Sequence, residues 1–213
     1  MDFADVKEYV EFAYYISGIL LLIGVVIAIE QLKMVKKDMR DTNYRAAVEK
    51  SVEYLTYYAQ KFIPAYTKYK EKLKEEMPER IDTKHLFDGN FNIELSSLDK
   101  EIVVELIIKQ EAGLGQLFNE MEFFSIAILE RLVIDDLMFT PVARSYCKII
   151  EEEHVLLSVM RNKGTPFKNV VELYNKWNDR LEVQALELQK SNVENKIKLK
   201  GNNHKSKPPI GTS

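Results

Sequence analysis

FAYYISGILLLIGVVIAI, residues 12–29, is a run of 18 residues without a charge. Coiled as an α-helix at about 1.5 Å per residue it reaches roughly 27 Å, close to the hydrocarbon thickness of a bilayer. A backbone in lipid must satisfy its own hydrogen bonds, so the run is expected to be helical. Tyr9, Tyr14 and Tyr15 stand at one end, where rings with a polar tip favour the headgroup level. The leader is acidic, with Asp2, Asp5, Glu8 and Glu11 against Lys7. A secretory signal would start basic and close on a small-residue cleavage site. A core helix is rarely apolar all round over five turns. The run therefore reads as a transmembrane helix whose partner is the lipid bilayer, with Gly18 and Gly24 as its candidate packing positions.

The flanks orient it. Lys33, Lys36, Lys37, Arg40 and Arg45 follow the run, and only Lys7 precedes it. The excess of positive charge belongs in the cytoplasm. Residues 1–11 then form a short extracytoplasmic N-terminus, and the rest of a single-pass inner-membrane protein faces inward.

Formal charge is -3 over 213 residues, unevenly spread. Residues 94–153 carry 5 Lys/Arg against 13 Asp/Glu, and residues 154–213 carry 11 against 5. Much of the basic excess lies near the C-terminus rather than on folded elements, which argues against nucleic acid as a partner. Cys147 is the sole cysteine, so no intramolecular disulfide forms, and its place in a helical pattern reads as a buried thiol.

After the anchor the pattern stays helical. Val48, Val52, Leu55, Ala59, Phe62, Tyr66, Tyr69 and Leu73 step by 4, 3, 4, 3, 4, 3, 4, a narrow stripe for laying one helix on another. Packing within the chain and a homo-oligomeric coiled coil are both open to it. Pro64 lies inside and should kink the helix. Pro78 ends it, and residues 78–95 are rich in turn formers. Ser96 with Asp99 resembles a helix-starting cap, and Ile102, Val103, Val104, Leu106, Ile107 and Ile108 follow as a buried helix, interrupted at Gly113 and Gly115. Leu117, Met121, Phe124, Ile128 and Leu132 mark the next helix. Asp135-Asp136 reads as a turn, Thr140-Pro141 as a cap with the first helical residue, and Gly164-Thr165-Pro166 as a stop and restart.

The fold class expected is all-α: an N-terminal transmembrane helix followed by a cytoplasmic antiparallel bundle of about five helices. Its domain, residues 30–190, comprises a long kinked helix 30–77, a loop 78–95, and helices 96–112, 116–134, 141–163 and 166–190. Residues 191–213 read as a basic disordered tail.

Chemistry is scarce. There is no glycine-rich phosphate loop, nucleophile elbow, paired cysteine set or metalloprotease signature. Glu151-x-x-His154 has the spacing of a carboxylate–histidine metal pair, but a di-metal site needs a second pair and two more carboxylates. The echo Asp82-x-x-His85 lies in the loop. No catalytic, cofactor or metal residue is assigned, and the chain does not read as an enzyme. Tyr54, Tyr57 and Tyr58 flank the stripe and form the candidate partner surface, since tyrosine favours interfaces.

The layout, together with Tyr54-Leu55-Thr56-Tyr57-Tyr58 and Phe62-Ile63-Pro64, Phe118-Asn119-Glu120-Met121-Glu122-Phe123-Phe124, and Asp135-Asp136-Leu137 leading to Pro141 and Tyr146, resembles an uncharacterised family of bacterial and phage proteins with an N-terminal membrane helix and a cytoplasmic helical region. That family often has Trp where Tyr146 stands. The resemblance implies a shared fold and a setting in mobile elements, hence a role in phage exclusion or defence, and carries no catalytic residue. The function expected is a membrane-anchored interaction or regulatory module that binds a protein partner. The alternative is an effector that homo-oligomerises through the stripe or Gly18 and Gly24 and perturbs the bilayer.

Overall fold

The computed structural model describes residues 3–79, 81–87, 89–161 and 166–201. The protein is all-α, with no strand among the described residues. It divides into two units, Met1–Glu49 and Lys50–Ser213.

The first unit is a stretch of helix α1, which runs from Phe3 to Tyr57. It is the one helix among the described residues long and apolar enough to cross a membrane. From Tyr14 to Ile29 every side chain is exposed. Apart from its chain neighbours and the helix's own nearby backbone, nothing lies within 4 Å of a Cβ placed on Gly18 or Gly24.

In the second unit α1 continues through a π-helical turn, Tyr58–Phe62, into α2, Ile63–Glu76. Pro64 has no N–H to give the Gln60 carbonyl. The chain answers by widening the turn, and Ile63 N–H donates five residues back to the Tyr58 carbonyl. One extra residue is thereby inserted. The buried positions run Ser51, Tyr58, Phe62, Tyr69, Leu73. Val52 and Ala59, placed on the packing stripe by even heptad spacing, are exposed. The stripe is correct below the bulge and one residue out of register above it.

Two 3-10 turns, Lys84–Leu86 and Leu95–Ser97, lie in the loop. The next helix, α3, spans Lys100–Glu111 with Asp99 at its N-cap, so Ser96 is not the cap; its hydroxyl donates to Glu94 instead. Gly113, at φ 101, links α3 to α4, Leu114–Leu129. The reading of a helix to residue 134 overran. Arg131 takes a left-handed φ of 59, Leu132 N–H donates to the Ala127 carbonyl at 2.9 Å and Arg131 N–H to that of Ile128 at 3.2 Å. This is a Schellman stop built without glycine.

Helix α5, Asp135–Glu152, starts six residues before the expected position. Asp135 and Asp136 are its first turn, where negative charge suits the helix dipole. Ile134 N–H donates to Ser51 Oγ at 2.8 Å. Pro141 is therefore interior to α5, not its start. A break at Glu153 separates α5 from α6, His154–Arg161. The expected stop and restart at Gly164-Thr165 lie outside the described residues. Helix α7, Lys168–Gly201, packs on α4 and α5. It continues over residues 191–201, where composition alone predicts a disordered tail. Val193 to Lys200 contain neither Gly nor Pro, and Leu, Lys and Glu are good helix formers. Residues 202–213 of that tail lie outside the described residues.

Trp177, fully buried, centres the core of this unit. Its ring meets Tyr146 at 5.3 Å, Phe139 at 6.0 Å and Phe124 at 6.3 Å, edge to face in each case. Its Nε1–H donates to Asp135 at 2.9 Å. Asp135 also holds Lys176 at 2.9 Å. Glu122 closes the start of α7 by accepting from the Asn169 side chain at 2.7 Å and from Val170 N–H at 2.9 Å. Cys147 sits in the core, its thiol pushed up to about 12 by burial and then by Glu151.

Candidate functional site

Helices α1 and α4 enclose a cleft of about 310 Å³. Glu53, Tyr54 and Tyr57 come from α1, and Glu120, Phe123 and Phe124 from α4. On each helix the carboxylate and an aromatic lie three or four residues apart, so they share a face. Tyr54 and Phe124 rings meet at 6.2 Å. Phe123 is 70% exposed and Tyr57 42% exposed, in a unit whose other phenylalanines are largely buried. Burial raises the Tyr57 phenol, and a hydrogen bond to Glu120 and its charge raise it further. Lys50 holds Glu53 at 2.6 Å.

Two of the three tyrosines proposed as a partner surface therefore line this cleft. Tyr58 does not. It is 6% exposed, stacks on Phe62 at 5.1 Å and pairs with Ser145 Oγ at 3.0 Å. The inserted residue of the π-turn rotates it inward. Phe123 and Glu120 were missed as site residues, although Phe123-Phe124 was a signal: two adjacent aromatics on a helix cannot both face the same core.

A second feature was hidden by the apolar look of α3. Its buried face is Ile102, Glu105, Leu106 and Lys109, while Val104 and Ile107 are exposed. Lys109 Nζ lies 2.9 Å from Glu105 and 3.0 Å from Glu153, all three nearly fully buried. Lys70 reaches Glu153 at 3.7 Å and Glu152 at 2.9 Å, and Tyr66 donates to Glu152 at 3.1 Å. The chain of charges ties α2, α3 and the α5–α6 break together. Burial alone would push Glu152 up. The Lys70 hydrogen bond and charge, the Tyr66 hydroxyl and Lys148 outweigh it and hold the carboxyl below its ordinary value.

Beside this network lies a cavity of about 590 Å³, lined among others by Asp82, Thr83, Phe87, Glu151 and His154. Both carboxylate–histidine spacings thus lead toward one place, but His85 is exposed on its 3-10 turn and does not line it. His154 Nδ1 lies 2.9 Å from the Glu151 carbonyl, so it carries the proton and donates. Tyr174 donates to the Glu151 carboxylate at 3.1 Å. Among the described residues no group of three or more metal-capable side chains converges.

His154 titrates low. Burial dominates, Lys109 adds to it, and the Glu151 and Thr83 carbonyls and Glu153 oppose them. Folded His154 holds its proton less tightly than an unfolded histidine. Acidification below about pH 6.5 therefore favours the unfolded chain, until the folded value is passed. Glu152 acts in a separate window: its contribution is complete above about pH 4.3 and is lost as pH falls through its lowered folded value. His154→Gln should flatten the stability profile as pH falls below about 6.5, read as denaturant midpoint against pH. An unchanged slope there would contradict the assignment.

No family model, curated protein or solved structure matches the chain. The geometry of the two units carries the functional reading.

Proposed function

We propose that the protein is a membrane-anchored helical interaction module, with residues 12–29 across the inner membrane, the first eleven residues outside, and the second unit an antiparallel helical bundle on the cytoplasmic side. The observation that supports this most is that every apolar side chain from Ile16 to Ile29 is exposed. At about 25 cal/mol per Å² of apolar surface, so long an exposed run costs far too much to leave in water. The five cations between Lys33 and Arg45 support the inward orientation. The cleft of Tyr54, Tyr57 and Phe123 supports the binding role, because exposed aromatic rings in a concave site are where interface energy concentrates. The resemblance of the layout and of the segments around Tyr54, Phe118 and Asp135 to bacterial and phage membrane proteins supports a role in phage exclusion or defence.

Two measurements test it. Native full-length protein should stay with membranes through an alkaline carbonate wash, and recovery as free soluble protein would sink the anchor. A photoreactive phenylalanine derivative in place of Phe123 should crosslink a partner in cells, while the same group at Leu132, also exposed, should not. Tyr57→Ala should reduce the Phe123 adduct severalfold. Equal adducts from both positions would end the reading of this cleft as the partner surface.

A further inference from the structure

We infer that the cleft between α1 and α4 recognises the guanidinium of an arginine on a partner protein, an inference that rests on the reading of this cleft as the partner surface. Its walls are aromatic and its polar groups are acids. Tyr54, Tyr57, Phe123 and Phe124 line it, Phe123 the most exposed and Phe124 at its buried floor, and Glu53 and Glu120 stand among them. A ring face attracts a cation, most strongly where water is partly excluded. A carboxylate fixes its orientation, and the planar guanidinium satisfies both demands at once, stacking on a ring while pairing in bidentate fashion.

The protein already uses this arrangement once. Arg180 lies 3.8 Å from the centroid of the Phe139 ring and pairs with Asp136 at 2.7 Å and Asp135 at 3.6 Å. There the chain supplies its own arginine. At the cleft it supplies rings and acids and a cation for only one of the two acids: Glu53 is held by Lys50, whereas no lysine or arginine among the described residues pairs with Glu120. Among the described residues Glu120 takes the Tyr57 hydroxyl, and a carboxylate that lines a cleft of about 310 Å³ has further acceptor capacity to offer. The acidic balance of residues 94–153 adds a long-range field that favours a basic partner.

Lysine is the discriminating alternative. Residues 181–213 contain six lysines and no arginine, so a second copy docking its C-terminal segment would offer an ammonium. A partner arginine would not behave like one.

The test uses full-length protein in detergent micelles and three probes: the peptide acetyl-Gly-Arg-Gly-amide, its lysine counterpart, and its citrulline counterpart, which keeps the shape of arginine without the charge. Saturation-transfer NMR reads binding. The arginine peptide is expected to bind about tenfold more tightly than the citrulline peptide and clearly more tightly than the lysine peptide. Glu120→Gln and Phe123→Ala should each weaken it about fivefold to tenfold, with helicity and melting unchanged because both side chains lie outside the core. Equal binding of arginine and citrulline, or no binding of either, overturns the inference. Equal or tighter binding of lysine overturns the guanidinium assignment and points to the chain's own lysines. The crosslinking from position 123 decides the underlying reading separately: an adduct that persists while the peptides fail leaves the partner surface standing without its cation.

Discussion

Lys109→Met is expected to lower the unfolding free energy of the second unit by about 3–5 kcal/mol, the cost of stranding buried charge. Lys109 lies between Glu105 and Glu153, and neither carboxylate has solvent to replace it. Met fills nearly the same volume, so the loss is electrostatic rather than a cavity. The measurement is the denaturant midpoint of full-length protein in micelles at neutral pH. Replacing Glu105 as well should recover part of the loss, since removing both members of a pair leaves less uncompensated charge than removing one. A loss below about 1 kcal/mol would place the pair in the range of solvated ion pairs.

Trp177→Ala is expected to cost a further comparable amount, about 3–5 kcal/mol for an aromatic truncated in a sealed core. Trp177 is 0% exposed and packs edge to face on three rings. Its removal also frees Asp135 from the indole N–H at the first turn of α5. Trp177→Phe separates the two parts. It keeps most of the ring contact and drops the hydrogen bond to a charged acceptor, for which about 1.5–3 kcal/mol is typical. Near-equal losses in the two variants would mean the hydrogen bond carries the position. A negligible loss in Trp177→Phe would assign it to packing.

Much of the helical content was legible because apolar periodicity is a local signal. Leu117, Met121, Phe124 and Ile128 pointed to the core face of α4 without help from any other part of the chain, and all four are buried. The termination of α4 was not legible, because the left-handed stop uses Arg131 where a reader looks for glycine. The start of α5 was misread for the opposite reason. Thr140-Pro141 looks like a cap, yet Asp135, Asp136 and the Ser51 hydroxyl satisfy the helix end earlier, which leaves Pro141 inside α5 as an exposed residue.

The candidate site was half visible. Tyr54 and Tyr57 stood out by composition, whereas Glu120 and Phe123 became site residues only when α4 was set beside α1. The buried ion pair of α3 was available in principle. Glu105 and Lys109 are four apart and in phase with Ile102 and Leu106, so the face carrying the apolar residues also carried both charges. Their partner Glu153 comes from the α5–α6 break, a tertiary fact with no local signature.

The wide turn at Tyr58–Phe62 works as a vernier. The segment above it meshes with α4 through Tyr54 and Tyr58, the segment below it seats Tyr69 and Leu73, and one surplus residue reconciles the two screw phases. Losing a single amino acid there would turn Ser51–Tyr57 by about 100°, carrying Ser51 off Ile134 and swinging the cleft tyrosines away from Phe123 and Phe124. The inward and outward duties of that stretch are thus set by one integer, and neither can drift without the other.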